Sequence, residues 1–325
     1  MNQATAQPAG FRHEAALYHD DEEFLDIVVP FLREGLAAGD AALLRVNARL
    51  RSMVRDVLGA TDTLAALDPG DHDTHPLSTL EENRDVLARL FTAGAARLRF
   101  VGEVPHVGAE WAGWAGYEAS VNRFYAQLPV WAVCAYDVRQ APPRVIEDVT
   151  RTHGLLADRA GGHRVSPAWT DPVDFLDEQA RETTRALAGR RPDLHLTDPQ
   201  LSDARLGVAT LALGTGLDAG AVSGLSFAAN EVLTNAVMHG RAPVTLRAWA
   251  DPDGVVVAVH DRGRGPGHPY GGLLRDCDDP VLRGDGLWLA RRMCTRVDLV
   301  TAPDGFTVYL TARVGRDGAD RPTAV

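Results

Sequence analysis

The sequence predicts two domains of different architecture: an α/β domain on a parallel, doubly covered sheet, then a smaller domain of helices and hairpin strands. Three observations predict it. Strand-like apolar runs alternate with helical patterns through the first half, as a parallel sheet requires. The last third combines a long helix bearing one apolar stripe with paired short strands joined by Asp-Gly turns. At 325 residues the chain is long enough for two separate cores.

In order, the first half reads as strand Ala15 to Tyr18, helix Asp21 to Ala38, strand Ala41 to Val46 and helix Ala48 to Leu58. Strand Arg97 to Val101, helix Glu110 to Gln127, strand Val130 to Tyr136 and helix Pro143 to Leu156 complete it. Trp111, Trp114, Val121 and Tyr125 recur at helical spacing and read as core, as do Trp131 and Tyr136 in their strand. Open parallel sheets bind ligands beyond the carboxyl ends of their strands, which makes Asn47, Glu103 and Asp137 candidate ligand-facing positions. His13, His19 and Glu118 are candidates to converge there, including on a metal; a satisfied, inert environment is the competing reading for each. Gly161-Gly-His-Arg-Val-Ser-Pro167 reads as a flexible joint, and the run near 172 to 190 (Phe175, Leu176, Ala180, Ala186, Leu187) as a connector helix.

Three strings in the last third carry chemistry. From Asp218 to His239, Val222, Leu225, Ala229, Val232, Leu233 and Ala236 form a helical stripe, with Asp218 as N-cap and Gly240 as stop. Glu231 and Asn235, in Asn230-Glu-Val-Leu-Thr-Asn235, lie one turn apart on the opposite face, a carboxylate beside an amide. Such a pair suits a hydrated Mg²⁺, which takes a few oxygen ligands and keeps its waters; alone it also fits a solvated polar face. Strands Val244 to Trp249 and Val255 to Val259 then lead to Asp261-Arg-Gly-Arg-Gly265, a carboxylate where a strand opens into a glycine loop. Gly284-Asp-Gly-Leu287 opens a further helix, whose N-terminus can face phosphates. A hairpin, Val297 to Thr301 and Phe306 to Leu310 about Pro303-Asp-Gly305, follows.

All 33 basic residues are arginine, so a phosphate loop of the G-x-x-x-x-G-K type is excluded. A net charge of −11 argues against a nonspecific nucleic-acid binder. Cys134, Cys277 and Cys294 are odd in number and lack metal-ligand spacing, which points to a reducing interior. No run reaches the roughly 18 uncharged apolar residues of a membrane span, and Met1 to Gly10 has no signal-peptide layout. A cytoplasmic location is the expectation.

By the order and spacing of these strings and the closing hairpin, residues from about 195 to 315 resemble the GHKL ATPase domain shared by gyrase, histidine kinases and bacterial anti-sigma factor kinases. The resemblance implies an α+β sandwich, a mixed sheet covered by helices, that binds ATP with Mg²⁺. It makes Asn235 the Mg²⁺ ligand, Glu231 the general base or water-positioning carboxylate, and Asp261 the acceptor of the adenine amine. Gly263 and Gly265 would shape the adenine pocket, while Gly284, Gly286 and Leu287 belong to the phosphate loop. Thr307 would support the adenine-side water network, although the family's Gly-Thr-x pattern reads Gly305-Phe306-Thr307 here. Pro266 to Arg283 would form the lid, with Arg275 and Arg283 as phosphate contacts.

Typical histidine kinases carry a phosphoacceptor His directly before this domain and paired phenylalanines in the lid. Neither is found, and the only His-Glu pair, His13-Glu14, is far upstream. The chain thus resembles the anti-sigma factor, serine/threonine kinase branch. That implies sequestering a sigma factor and phosphorylating an anti-anti-sigma (STAS) protein. A sensor histidine kinase and a non-catalytic, nucleotide-dependent sigma-factor binder are the alternatives. A homodimer is a further expectation from the resemblance, with no heptad seam behind it.

Residues 10 to 158 resemble the MEDS sensory domain, itself similar to RecA-type cores, through His13-Glu-Ala-Ala-Leu-Tyr18, Ala41-Ala-Leu-Leu-Arg-Val46 and Val130-Trp-Ala-Val-Cys-Ala-Tyr-Asp137. Where a RecA-like phosphate loop would begin, Asn47-Ala-Arg-Leu50 has neither glycine nor lysine, so a sensor of a small-molecule ligand is expected rather than a second ATPase. The implied organisation is a sensory domain at 10–158, a linker and connector helix at 159–194, and an ATP-binding domain at 195–315.

Overall fold

The computed structural model describes residues 10–59, 64–67, 75–104, 111–275 and 284–314. It divides into two units, Met1–Pro172 and Val173–Val325. Arg283, Cys277 and the far half of the expected lid lie outside the described residues.

The first unit runs β1 (Arg12–Tyr18), α1 (Asp21–Ala37), β2 (Ala41–Arg45), α2 (Ala48–Leu58), β3 (Leu64–Leu67), α3 (Pro76–Thr92), β4 (Leu98–Glu103) and α4 (Trp111–Phe124). It continues with β5 (Val130–Asp137), α5 (Pro143–Thr152), β6 (Leu155–Ala157), one 3-10 turn (Arg159–Gly161) and β7 (His163–Val165). Among the described residues its sheet has the order β3-β2-β4-β5-β1-β6-β7, parallel except at β7. Helix starts follow local chemistry: Asp20 accepts from the Glu23 N–H before α1, and Asn47 from that of Leu50 before α2. The expected core aromatics Trp111, Trp114, Tyr125 and Tyr136 are buried, whereas Trp131 is half-buried.

Two readings of this half need correction. The helix expected to reach Leu156 stops at Thr152, and Leu155–Ala157 becomes β6, with Leu156 buried opposite Ala15 of β1. Extended backbone at His153 ends the helix (φ −110°, ψ 120°), and sheet burial outweighs the helical spacing of the two leucines. The expected joint at 161–167 contains β7, an antiparallel edge strand held on β6. Its glycines serve the tight turn between the two strands.

The second unit runs α6 (Pro172–Leu187), β8 (Leu194–Thr197), α7 (Leu201–Leu213), α8 (Ala219–His239), β9 (Thr245–Asp251), β10 (Gly254–Asp261), α9 (Asp285–Met293), β11 (Arg296–Ala302) and β12 (Gly305–Arg313). Its sheet has the order β11-β12-β10-β9-β8, and every described pairing is antiparallel, a narrower case than the mixed sheet expected. Alternation along β10 sends Val255, Val257 and Val259 to a core shared with α7, α8 and α9. Val256 and Ala258 face the other side, where Leu187 of α6 packs with Trp249 and Tyr309. The expected connector helix is thereby tied into this unit: Thr183 donates to Asp298 (2.8 Å), and Arg296 donates to the Gln179 carbonyl. No helix of the described residues is long and apolar enough to cross a membrane.

Candidate functional site

Helix α8 forms because its stripe is apolar and both ends are signalled: Asp218 accepts from the Ala221 N–H at 2.7 Å, and Gly240 ends it. Val222, Leu225, Ala229, Val232, Leu233 and Ala236 are buried, which leaves Glu231 and Asn235 half-buried on the other side, one turn apart. The last residue of β10 is Asp261, buried, with Oδ1 accepting from the backbone N–H of Arg241 (3.1 Å) and of Gly263 (2.5 Å). Two amide donors on one oxygen fix the carboxylate's orientation.

The glycines give these side chains room. A Cβ on Gly263 would come within 2.5 Å of Asp261 Oδ1, and one on Gly240 within 2.4 Å of its Cγ. Gly265 has φ 60° and lies over the Phe306 ring, where a Cβ would stand 2.3 Å from a ring carbon. At the start of α9, a Cβ on Gly286 would lie 2.7 Å from Asn235 Nδ2, so the amide of α8 abuts the N-terminal turn of α9. Gly272 packs equally closely on Leu287 and the Trp288 nitrogen. The structure thus brings Asn235, Gly286 and Leu287 into one corner, and Asp261, Gly263 and Gly265 into another.

It does not bring Thr307 to Asp261. The register pairs Asp261 with Phe306, and Thr307 with His260, whose Nδ1 is 3.0 Å from Thr307 Oγ1. Side chains alternate along a strand, so Phe306 shares the face of Asp261 and Thr307 faces the opposite way. Arg275 is exposed and 4.0 Å from Asp285 at the start of α9, with its guanidinium 5.6 Å from the Trp288 ring. Sequence reasoning missed Arg291. It is half-buried and donates to the carbonyls of Gly271 (2.8 Å), Pro269 (2.9 Å) and Val297 (3.3 Å). Burial pushes its pKa down to about 10. It anchors the near half of the expected lid by its backbone.

In the first unit, Asn47 and Glu103 do meet: the Asn47 amide donates to Glu103 at 2.8 and 3.1 Å, and its backbone N–H at 2.9 Å. Asp137 is occupied by Arg139, whose hydrogen bonds of 2.6 and 2.8 Å hold its pKa down at about 2. His19 is exposed and bonds Glu23 at 2.9 Å; it lies at the far end of β1 from His13. His13 and Glu118 do converge, away from the strand ends and in company that spacing did not reveal. His13 Nε2 is 3.1 Å from Glu118 Oε2 and 3.3 Å from Cys134 Sγ, and His153 Nε2 is 3.0 Å from the same Glu118 oxygen. All four residues are buried, and their ligand atoms lie within 4.8 Å of one another. Cys134, set aside for its spacing, belongs to this group.

The antiparallel sheet covered by the long α8 is consistent with the GHKL ATPase fold, following an α/β unit in the chain. Comparison with known proteins makes both specific. Residues 12–154 match the family model of MEDS, described as the methanogen/methylotroph, DcmR sensory domain. Residues 194–312 match that of the histidine kinase-like ATPase domain. The chain therefore carries a MEDS sensory domain followed by a GHKL-like ATPase domain, the layout of a signalling regulator. Over 170 residues it is 26% identical to the transcriptional repressor DcmR of Methylorubrum extorquens, a match covering 47% of this chain and 63% of that protein. The match thus spans less than two thirds of that relative. A crystal structure of the RsbU and RsbW domains of Rv1364c from Mycobacterium tuberculosis is 23% identical, with a TM-score of 0.27, over 41% of this chain and 36% of that one.

Proposed function

We propose that the second unit is a protein serine/threonine kinase that acts on a STAS-type anti-anti-sigma protein, holds a sigma factor, and answers to the MEDS domain in a cytoplasmic signalling chain. The observation that carries this reading is the corner where Asn235 of α8 abuts Gly286 at the N-terminus of α9. It sets a side-chain oxygen, a neighbouring carboxylate and a helix N-terminus where a metal and phosphates belong. The residues fit Mg-ATP: Asp261 has one oxygen fixed by two amides, so the other is aimed rather than free to rotate.

In this reading Asp261 Oδ2 accepts from the exocyclic amine of adenine, and Phe306 supplies the apolar wall that Thr307 does not reach. Gly284, Gly286 and Leu287 present backbone N–H groups to the phosphates. Asn235 holds the metal, and Glu231 orients the attacking hydroxyl and accepts its proton. Bound Mg²⁺ supplies neutralisation of charge on the phosphates. The serine or threonine oxygen gains the γ-phosphoryl group and ADP leaves, a reaction whose catalysis is mostly positioning and electrostatics. Helix α6, directly before the ATPase fold, contains no histidine, which favours a hydroxyl acceptor on another protein.

The test is to incubate the full chain with γ-labelled Mg-ATP and STAS-type proteins of its own source. Acid-stable label on the separate protein is expected. Acid-labile label on the chain itself, or bound ATP with no transfer, contradicts the reading.

A further inference from the structure

Four side chains are buried together among β1, β5, α4 and the end of α5, and His13, Glu118 and His153 bring acceptor atoms to their centre. A neutral imidazole has one N–H and one lone pair. His153 Nδ1 lies 2.9 Å from the Val149 carbonyl, which can only accept, so its proton is on Nδ1 and its lone pair on Nε2. The Asn122 amide nitrogen faces the carbonyls of Glu118, Ala119 and Thr152, which fixes Oδ1 as the atom 3.2 Å from His13 Nδ1. His13 is therefore also protonated on Nδ1. The His153 Nε2 lone pair then faces Glu118 Oε2 at 3.0 Å, and His13 Nε2, whose lone pair accepts from the Cys134 thiol at 3.3 Å, lies 3.1 Å from the same oxygen. Neither Glu118 oxygen nor His153 Nε2 has a partner with hydrogen-bond geometry. Buried polar atoms are rarely left so, and three lone pairs converging in a dry interior call for a positive charge at their centre.

We propose that His13 Nε2, His153 Nε2, Cys134 Sγ and a Glu118 oxygen bind one divalent transition-metal ion of the zinc type within the MEDS domain. The donor set selects the metal: imidazole and thiolate suit zinc-like ions, whereas Mg²⁺ and Ca²⁺ take oxygen ligands. Ligand atoms of a tetrahedral ion with bonds of roughly 2.0–2.3 Å lie about 3.3–3.8 Å apart; the three close separations of 3.0–3.3 Å need a slight expansion, and the others, all within 4.8 Å, at most a modest contraction. The outer contacts are already in place, since each histidine turns its other nitrogen to a carbonyl oxygen. Binding displaces the thiol proton to solvent, and the thiolate with the Glu118 carboxylate balances the ion's two charges, which leaves no net charge buried. Four protein ligands make a closed site, one that ties residue 13 to residue 153 rather than one that activates water. A small apolar hollow bordered by Phe11, Leu87, Phe100 and Tyr117 reaches His13 and Cys134. This inference is independent of the kinase reading.

The test uses the full chain without a histidine tag, stripped by a chelator under reducing conditions and titrated with Zn²⁺ or Co²⁺ alone. One ion per chain and a thiolate-to-cobalt charge-transfer band are expected, with a higher melting temperature in the loaded protein. Cys134→Ser should abolish the band, Cys294→Ser should keep it, and His153→Ala should weaken binding by on the order of 100-fold or more. A folded wild-type chain that takes up no ion overturns the proposal, with no variant needed. So does a band that survives Cys134→Ser or vanishes in Cys294→Ser.

Discussion

The two clusters of chemistry in this chain are built in opposite ways. In the second unit Glu231, Asn235 and Gly286 are partly exposed, and buried Asp261 is fixed by backbone amides of its own loop and of the loop after α8. In the first unit His13, Glu118, Cys134 and His153 are buried and turn one ligand atom each toward a common centre. An open pocket with anchored donors suits a ligand that comes and goes. A sealed set of unpaired acceptors suits an occupant that stays.

The sharpest way to break this contrast is Asn235→Ala. It should lower phosphoryl transfer by at least about 100-fold in the labelled-ATP assay, because positioning is most of the catalysis. Nucleotide affinity should fall in the presence of Mg²⁺ and change little without it. Removing the guanidinium in Arg291→Met takes the side-chain donors from the carbonyls of Gly271, Pro269 and Val297. Urea unfolding of the second unit should register a loss of roughly 3 kcal/mol, and proteolysis should quicken near residues 266–275.

Two glycines either side of Pro266 sharpen the second unit's side of the contrast. Gly265→Ala meets both a left-handed φ of 60° and the Phe306 ring at 2.3 Å, for a cost of roughly 2–3 kcal/mol with weaker nucleotide binding. Gly267→Ala meets a similar φ of 76° but open space, so it should cost only about 1 kcal/mol and spare binding. Thermal melts with and without nucleotide separate the two.

The smallest effect is at the carboxyl end of β5, the middle strand of the first unit's sheet. Arg139 lowers the Asp137 pKa from 3.8 to about 2, so the pair's contribution is present above pH 4 and fades as pH falls through 2. Wild type and Asp137→Asn should therefore differ slightly at neutral pH and converge in acid unfolding only below about pH 2.

How much was legible follows the same contrast. Helix α8, with its cap, stripe and stop, is written in consecutive residues, and Asp261 ends β10 where the glycine loop begins, as its string indicates. Local patterns report local structure. Thr307 illustrates the limit: a shift of one position along β12 exchanges the faces, and no spacing distinguishes Thr307 from Phe306 until the register with β10 is known. Leu155 and Leu156 extend the apolar spacing of α5, so their place beside β1 is visible only once the sheet forms. Helix α7 leaves Leu206 and Leu213 exposed and so lacks a readable stripe. The buried cluster draws on positions 13, 118, 134 and 153, which no motif spacing joins; the parallel pairing of β1 with β5 brings the first and third together.

The most direct measurement is a calorimetric titration of Mg-ATP into the full chain and into Asp261→Asn. The variant keeps an oxygen for the Arg241 and Gly263 amides but turns an N–H₂ toward the adenine amine. A pocket centred on Asp261 predicts affinity about 10- to 100-fold weaker in a folded protein, the worth of one charge-assisted hydrogen bond. Unchanged affinity in the folded variant would contradict the placement of the nucleotide.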